Sequence, residues 1–291
     1  MGAGRPDVDV VVPFRGGDAE RAALLARLTT LRLGPGDTLT VVDNGRYPPP
    51  QAAGEPRLVH APERPTSYYA RNRGAERGSA EWIVFLDADV VAPADLLDRY
   101  FSAPPAAPTG VLAGGVRDDV AGRTPAERYA AARAPMADET TLERGEWSYA
   151  MTANCAVRRA AFVAVGGFDE RLRSGGDADL CFRARRAGWA LERRPDAVVV
   201  HRNRRTLRAL ARQKARHGAG VAWLARAYPG AFDDRLTAGT VWWSARRLGA
   251  AALARARGDR DGAAVAAVDV VAHWAFHIGR LLPNEPRPRR D

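Results

Sequence analysis

Cysteine is scarce in this chain: Cys155 and Cys181 are the two thiols in 291 residues. So few exclude a disulfide framework, and their separation excludes a CxxC metal site. Apolar neighbours on both sides make buried free thiols in a reducing compartment the expectation. A secretory signature is also missing. MGAGRPDVDVVVPF has one basic residue ahead of an apolar run of only strand length, and its sixth residue is Pro where myristoylation favours Ser or Thr. The expected location is cytoplasmic. Internal repeats are absent, and lysine nearly so: of 44 basic side chains, Lys214 alone is a lysine.

What is present is ordinary for a folded protein. Hydrophobic residues make up 46% and charged residues 27%, which excludes a disordered chain. The length suits one large domain, or one domain with an appended subdomain, and a core that needs no staples. The net charge of +10 is unevenly placed. Residues 1–200 carry 26 arginines against 27 acids, whereas residues 201–291 carry 18 basic against 7 acidic side chains. A basic last third suits phosphate-rich partners, namely nucleic acid, an anionic membrane or a phosphorylated substrate. A solvated arginine-rich surface explains the same residues equally well.

The periodicity alternates between strand and helix. VDVVVPF (8–14) is a continuous apolar run of the kind buried on both faces of a sheet. A leucine stripe follows in 18–33, with Asp18 as the expected N-cap, and Gly34-Pro35-Gly36 stops it. Strands are expected at 38–44, 57–61, 81–89 and 110–116, with helices at 66–79 and 93–101. This order predicts an α/β fold with a mostly parallel sheet flanked by helices. The stretch 117–150 is polar and irregular apart from a helix around 125–134. A helix at 177–187 and a strand at 197–201 come next. Beyond His201 the pattern is wholly helical, over 205–227, about 236–257 and about 260–282. The last of these has the length of a membrane span, but Asp269, His273 and His277 argue for an interfacial or core helix. The resulting division is a catalytic domain over 1–204, a basic helical subdomain over 205–282 and a disordered tail over 283–291.

Two stretches share the trio D-A-D. In VFLDADVV, Asp87 and Asp89 close an apolar strand, and alternation places both on one face at its carboxyl end, where ligands bind in open α/β sheets. Paired carboxylates there repel unless a cation relieves them, and a hard divalent ion with phosphate co-ligands would do so. Turn and cap residues are the competing explanation. In GGDADLCFRA, Asp177 reads as a helix N-cap and Asp179 as a first-turn acid favoured by the helix dipole. The preceding Gly175-Gly176 lets backbone crowd against a ligand.

The series VVVPF, TVVDN, ARNRGAERGSAEWIVFLDAD, TANCAVRRAAFVAVGGFDERL, GGDADLCFRARRAGW and PDAVVVH resembles the family 2 glycosyltransferases over roughly residues 7–205. Those are inverting enzymes of the GT-A, Rossmann-like fold. The resemblance implies a sugar transfer from a nucleotide-diphosphate donor, such as a UDP-sugar, to a hydroxyl acceptor in cell-surface glycan, glycolipid or natural-product synthesis. It implies Asp177 as the general base. It places Pro13, Asp43, Arg71, Asp87 and Asp179 among the substrate-binding residues, with Asp43 at the nucleotide base and Asp87 toward the ribose. Asp89 and His201 become ligands of a divalent ion, Mn2+ or Mg2+. A bound metal offsets charge on the leaving diphosphate, and a carboxylate opposite it takes the acceptor proton. One departure stands out: the family's usual glutamate before the base is Gly176 here, which bears on acceptor identity.

The C-terminal third lies outside the resemblance. Arg204, Arg205, Arg208, Arg212 and Arg216 recur at helical spacing, a face for a diphosphate, a lipid phosphate or the inner membrane leaflet. Trp223, Trp242, Trp243 and Trp274 fall in apolar stretches and read as core or interface, which argues against nucleic acid. A retaining GT-A enzyme and a non-catalytic scaffold that binds nucleotide-sugar or membrane are the rival readings.

Overall fold

The computed structural model describes residues 4–49, 56–137, 139–232 and 239–286. They form two compact units. One holds the chain through Arg117 together with Ala137–His201, and the other holds Asp118–Met136 and Arg202–Glu285. The polar stretch that looked irregular in sequence is thus shared, its helical part belonging to the second unit.

An eight-stranded sheet organises the first unit, in the order β3-β2-β1-β4-β7-β6-β8-β5. The strands are β1 (Val8–Phe14), β2 (Thr38–Asp43), β3 (Arg57–His60), β4 (Trp82–Leu86), β5 (Val90–Val91), β6 (Thr109–Asp118), β7 (Asn154–Arg158) and β8 (Ala190–His201). Strands β1 to β4 pair in parallel, as the alternating strand-helix pattern requires, whereas β7 runs antiparallel to both β4 and β6. The parallel half therefore ends at β4. Every residue of β1 and β4 is buried. Both strands lie inside the sheet, and two-sided burial accounts for their apolar residues; Asp9 of β1 is the exception, its buried carboxylate accepting from Thr38 Oγ1 at 2.6 Å and the Ala80 N–H at 2.8 Å. Pro13 is tolerated because the β1–β4 ladder ends at Val11, before the proline's missing N–H matters. The sequence did not expose β5 or the first half of β8, LERRPD, whose charged residues hide its strand character.

Helices α1 (Asp18–Leu28), α2 (Ser67–Ala75), α3 (Leu96–Tyr100), α4 (Pro125–Arg133), α5 (Glu139–Leu142), α6 (Arg159–Ala164), α7 (Gly176–Arg186), α8 (Leu207–Ala227), α9 (Gly239–Ala256) and α10 (Arg260–Arg280) complete the chain. Two helix starts differ from expectation. The N-cap of α1 is Gly17, with Glu20 reaching back to its N–H at 2.9 Å, so Asp18 is the first helical residue. The N-cap of α7 is Gly175 in the left-handed region (φ +84°), which places Asp177 within the first turn.

In the second unit α10 packs along α8, α9 and α4. Ala126, Tyr129, Leu210, Val268 and Ala272 form its core. Asp269, the acid that argued against a lipid-spanning helix, is 7% exposed and receives Arg133 Nε at 2.8 Å and Arg247 Nε at 2.6 Å. Helix α8 is capped by Thr206, so Arg204 and Arg205 of the expected arginine stripe precede it; Arg205, Arg208 and Arg212 are exposed, and Arg205 faces Glu127. The N-terminal part of the helix expected at 236–257 and the end of the expected tail, 287–291, lie outside the described residues. Asn284, within that tail, is buried.

Candidate active site

The parallel strands bring their carboxyl ends to one edge. Asp43 ends β2 and Asp87 follows the last residue of β4, with β1 between them, so the two lie roughly 10 Å apart at ordinary strand spacing. Asp43 is 1% exposed. Its Oδ2 receives Arg21 Nη1 at 3.2 Å and its Oδ1 receives the Gly45 N–H at 2.7 Å. Arg21 was missed in the sequence. It shares the inward face of α1 with Leu24 and Leu28, and a cation on an otherwise leucine-lined stripe was the available signal.

Asp87 and Asp89 do not share a strand face. Strand β4 ends at Leu86, and Ala88 and Asp89 lie in a turn closed by the Val90 N–H to the Asp87 carbonyl at 3.3 Å. Arg27 of α1 supports this turn by donating to the Ala88 carbonyl at 2.8 Å. The two carboxylates consequently meet different partners. Asp87 pairs with Arg71, a guanidinium only 3% exposed. Asp89 is carried to His201 by the β5–β8 ladder, in which Val90 opposes His201. Asp89 Oδ2 and His201 Nε2 stand 3.6 Å apart.

An oxygen and an imidazole nitrogen at that separation, beyond hydrogen-bonding range, suit two donors to a divalent ion whose remaining positions phosphate oxygens would fill. Among the described residues no group of three or more His, Cys, Asp or Glu side chains could hold a metal without such help.

Asp177 comes from the first turn of α7 and feels the charges of Arg71 and Asp87. Burial pushes its carboxyl above the ordinary aspartate value. The Ala178 N–H, 3.1 Å from Oδ1, and the Arg71 charge pull it down, while Asp87 adds to the rise. Arg71, Asp87 and Asp177 therefore share one electrostatic site. Burial and the Asp177 charge also push the Tyr149 phenol up. Both cysteines are free and buried, and burial raises the Cys181 thiol to about 12. Asp179 pairs with a cation on its own helix. It is 3% exposed and receives Arg183 Nε at 2.9 Å and Nη2 at 2.7 Å.

Tyr68 ties α2 to the start of α7. Its hydroxyl accepts the Gly176 N–H at 2.8 Å, its ring stacks on Phe168 at 5.5 Å, and the Arg71 guanidinium lies 5.7 Å from its centroid. A Cβ added at Gly176 would meet the Tyr68 ring at 2.7 Å. The room for a side chain before Asp177 is thus already filled by an aromatic ring from α2. Asn72, on the same helix, fixes the Gly166-Gly167-Phe168 turn by donating to the Phe168 carbonyl and accepting its N–H, both at 2.9 Å. Neither role was read from the sequence, although Tyr68, Arg71, Asn72 and Ala75 recur at helical spacing.

Comparison with known proteins identifies the family and the fold. A family model described as glycosyltransferase-like family 2 matches residues 38–220. A pre-mycofactocin glycosyltransferase of Mycobacterium tuberculosis is 31% identical over 241 residues, covering 78% of this chain and 49% of that protein. Glycosyltransferase AglE of Haloferax volcanii is 33% identical over 140 residues, covering 48% of this chain and 45% of its own length. The chain spans about half the length of these curated relatives. A mannosyltransferase from Pyrobaculum calidifontis, solved with GDP-Man and Mn2+, has the same fold at a TM-score of 0.58 and 19% identity, over 93% of this chain and 88% of the other. With the family match spanning more than half its length, the chain belongs to glycosyltransferase-like family 2.

Proposed function

We propose that this protein transfers a sugar from a nucleotide-diphosphate donor to a hydroxyl acceptor, with inversion at the anomeric carbon and with Asp177 as general base. The observation that carries the reading is the Asp177 carboxyl, raised by burial, in one site with the Arg71–Asp87 pair. A base whose protonation equilibrium is shifted toward neutral pH is better matched to taking a proton from a hydroxyl. No second carboxylate is needed as a nucleophile, because one in-line displacement assisted by one base inverts the centre.

The remaining residues divide by role. Asp43 faces the nucleotide base, since each of its oxygens keeps a lone pair beyond those used by Arg21 and Gly45. Pro13 lies one residue before Phe14, the β1 residue that pairs with Asp43, and Asp87 faces the ribose. Asp89 and His201 would hold a divalent ion, Mn2+ or Mg2+, which when bound supplies charge neutralisation for the leaving diphosphate. Asp179 contributes by holding Arg183. Asp43 and the metal pair suit a UDP-sugar, with GDP- and dTDP-sugars as the alternatives to test, GDP being the nucleotide in the fold relative solved with GDP-Man. The packing of Tyr68 into the place opened by Gly176 supports a rebuilt site over an eroded, non-catalytic one.

The test is donor turnover. Release of nucleoside diphosphate from UDP-, GDP- and dTDP-sugars is measured with Mn2+ and an alcohol acceptor, and NMR reads the anomeric configuration of the product. Turnover abolished by Asp177→Asn, with an inverted product, is expected. Retained configuration, or a substitution without effect, overturns the assignment.

A further inference from the structure

Helix α9 turns its apolar side outward. Ser244 and Arg247 face inward, where Ser244 accepts Trp274 Nε1 at 3.0 Å and Arg247 meets Asp269. On the opposite side Val241, Trp242, Leu248 and Leu253 are 63%, 67%, 51% and 51% exposed, and Ala245 and Ala252 are exposed between them. At 100° per residue these positions fill an arc of roughly 140° with no polar side chain in it. Arginines flank the arc on both sides: Arg255 beyond Leu248, and Arg246 and Arg257 beyond Leu253. All three are exposed, and α9 contains no acidic residue.

We infer that this face docks on the headgroup region of an anionic lipid bilayer. An apolar strip with an exposed Trp at one end and arginine rows along both flanks matches what an interfacial helix needs. The strip enters the acyl boundary while the guanidinium groups meet lipid phosphates. Charge decides among occupants. A second copy packed face to face would set arginine rows against arginine rows, with no carboxylate on the helix to relieve them, whereas anionic phosphates complement both rows at once. The inference concerns the second unit alone and does not depend on the proposed sugar transfer.

The experiment is co-sedimentation of the full chain with phosphatidylcholine vesicles, with and without 30% phosphatidylglycerol. Three flanking arginines, at the strength usual for basic residues near an anionic surface, predict about a hundredfold tighter partition onto the anionic vesicles at low salt. Replacing Trp242, Leu248 and Leu253 together by Ser should abolish binding to both vesicle types without lowering the melting temperature, since none of the three is buried. Arg246→Gln with Arg257→Gln should remove most of the anionic preference. Absence of binding overturns the inference, as does binding that the serine variant retains. So does a wild-type dimer that the same variant converts to a monomer, which would make the face a contact between copies.

Discussion

Gly176→Ala is the smallest change that interrogates the unusual site. The added Cβ meets Tyr68 ring carbons at 2.7 and 2.8 Å, about 1 Å inside carbon–carbon contact. Tyr68 is 6% exposed and stacked on Phe168, so the ring cannot yield by moving into solvent. Overpacking of this kind costs about 1–3 kcal/mol. Displacing the hydroxyl also strands the Gly176 N–H, at about 1 kcal/mol. Against these stands a gain of about 0.5–1 kcal/mol from replacing a helical glycine, whose backbone here is not left-handed. The clash wins, and the variant should lose about 1–3 kcal/mol in a urea titration. Donor turnover should fall with it, because Tyr68 also flanks Arg71. Gly176→Glu should be worse. Tyr68→Ala is costly in its own right, since it removes a buried ring, but it also removes the clash, so its loss and that of Gly176→Ala should be less than additive, with a coupling energy of about 1–3 kcal/mol in the double-mutant cycle. Wild-type stability for Gly176→Ala, or strictly additive losses in the cycle, would refute the reasoning.

Asp177→Asn should lower kcat by about 10²–10⁴-fold. It should also raise Tm at pH 7: a carboxyl raised in the folded state costs stability once pH climbs through the interval between its unfolded and folded values, and Asn removes that cost. For the same reason the wild-type rate should climb with pH across that interval, which a kcat profile reads; a lower Tm with turnover intact would mark Asp177 as structural. Asp89→Ala and His201→Ala should each abolish the extra thermal stabilisation that Mn2+ gives in the presence of a nucleoside diphosphate, and chelation should do the same to the wild type. Burial works to raise the Asp269 carboxyl, but bonds from Arg133 and Arg247 outweigh it and hold the group below the ordinary value. Its stabilisation is therefore present above the unfolded aspartate value and lost as pH falls through the lowered folded one. Asp269→Asn should cost about 2 kcal/mol at pH 7, since both arginines keep access to water, and should flatten the acid limb of a Tm–pH curve.

Period-two and helical patterns made the parallel half of the sheet legible, because strands buried on both faces leave unbroken apolar runs such as WIVFL. They failed where tertiary pairing overrides composition. The two residues of β5 are too few to show a period, and LERRPD in β8 carries charge into a strand. Acidic positions were legible as residue types, but their partners were not. Arg21 and Asp43 lie 22 residues apart and Tyr68 and Gly176 lie 108 apart, and such pairings are set by the fold. The helix starts at Asp18 and Asp177 were misplaced by one and two residues because glycine, which caps with its backbone alone, leaves no side-chain signal.

The second unit is discontinuous in the chain, and that shapes how it can be made. Helix α4 ends at Arg133 and α10 begins at Arg260, 127 residues later. Tyr129 of α4 meets Val268 and Ala272 of α10 in one core, and Arg133 finds its carboxylate at Asp269. During synthesis at roughly 5–20 residues per second, α4 leaves the ribosome about 6–25 s before its partner exists. Closing so long a loop adds entropy cost that local helix formation cannot offset. The sheet unit can thus mature first, and its last strand, β8, is complete before any of α8 to α10 has been made.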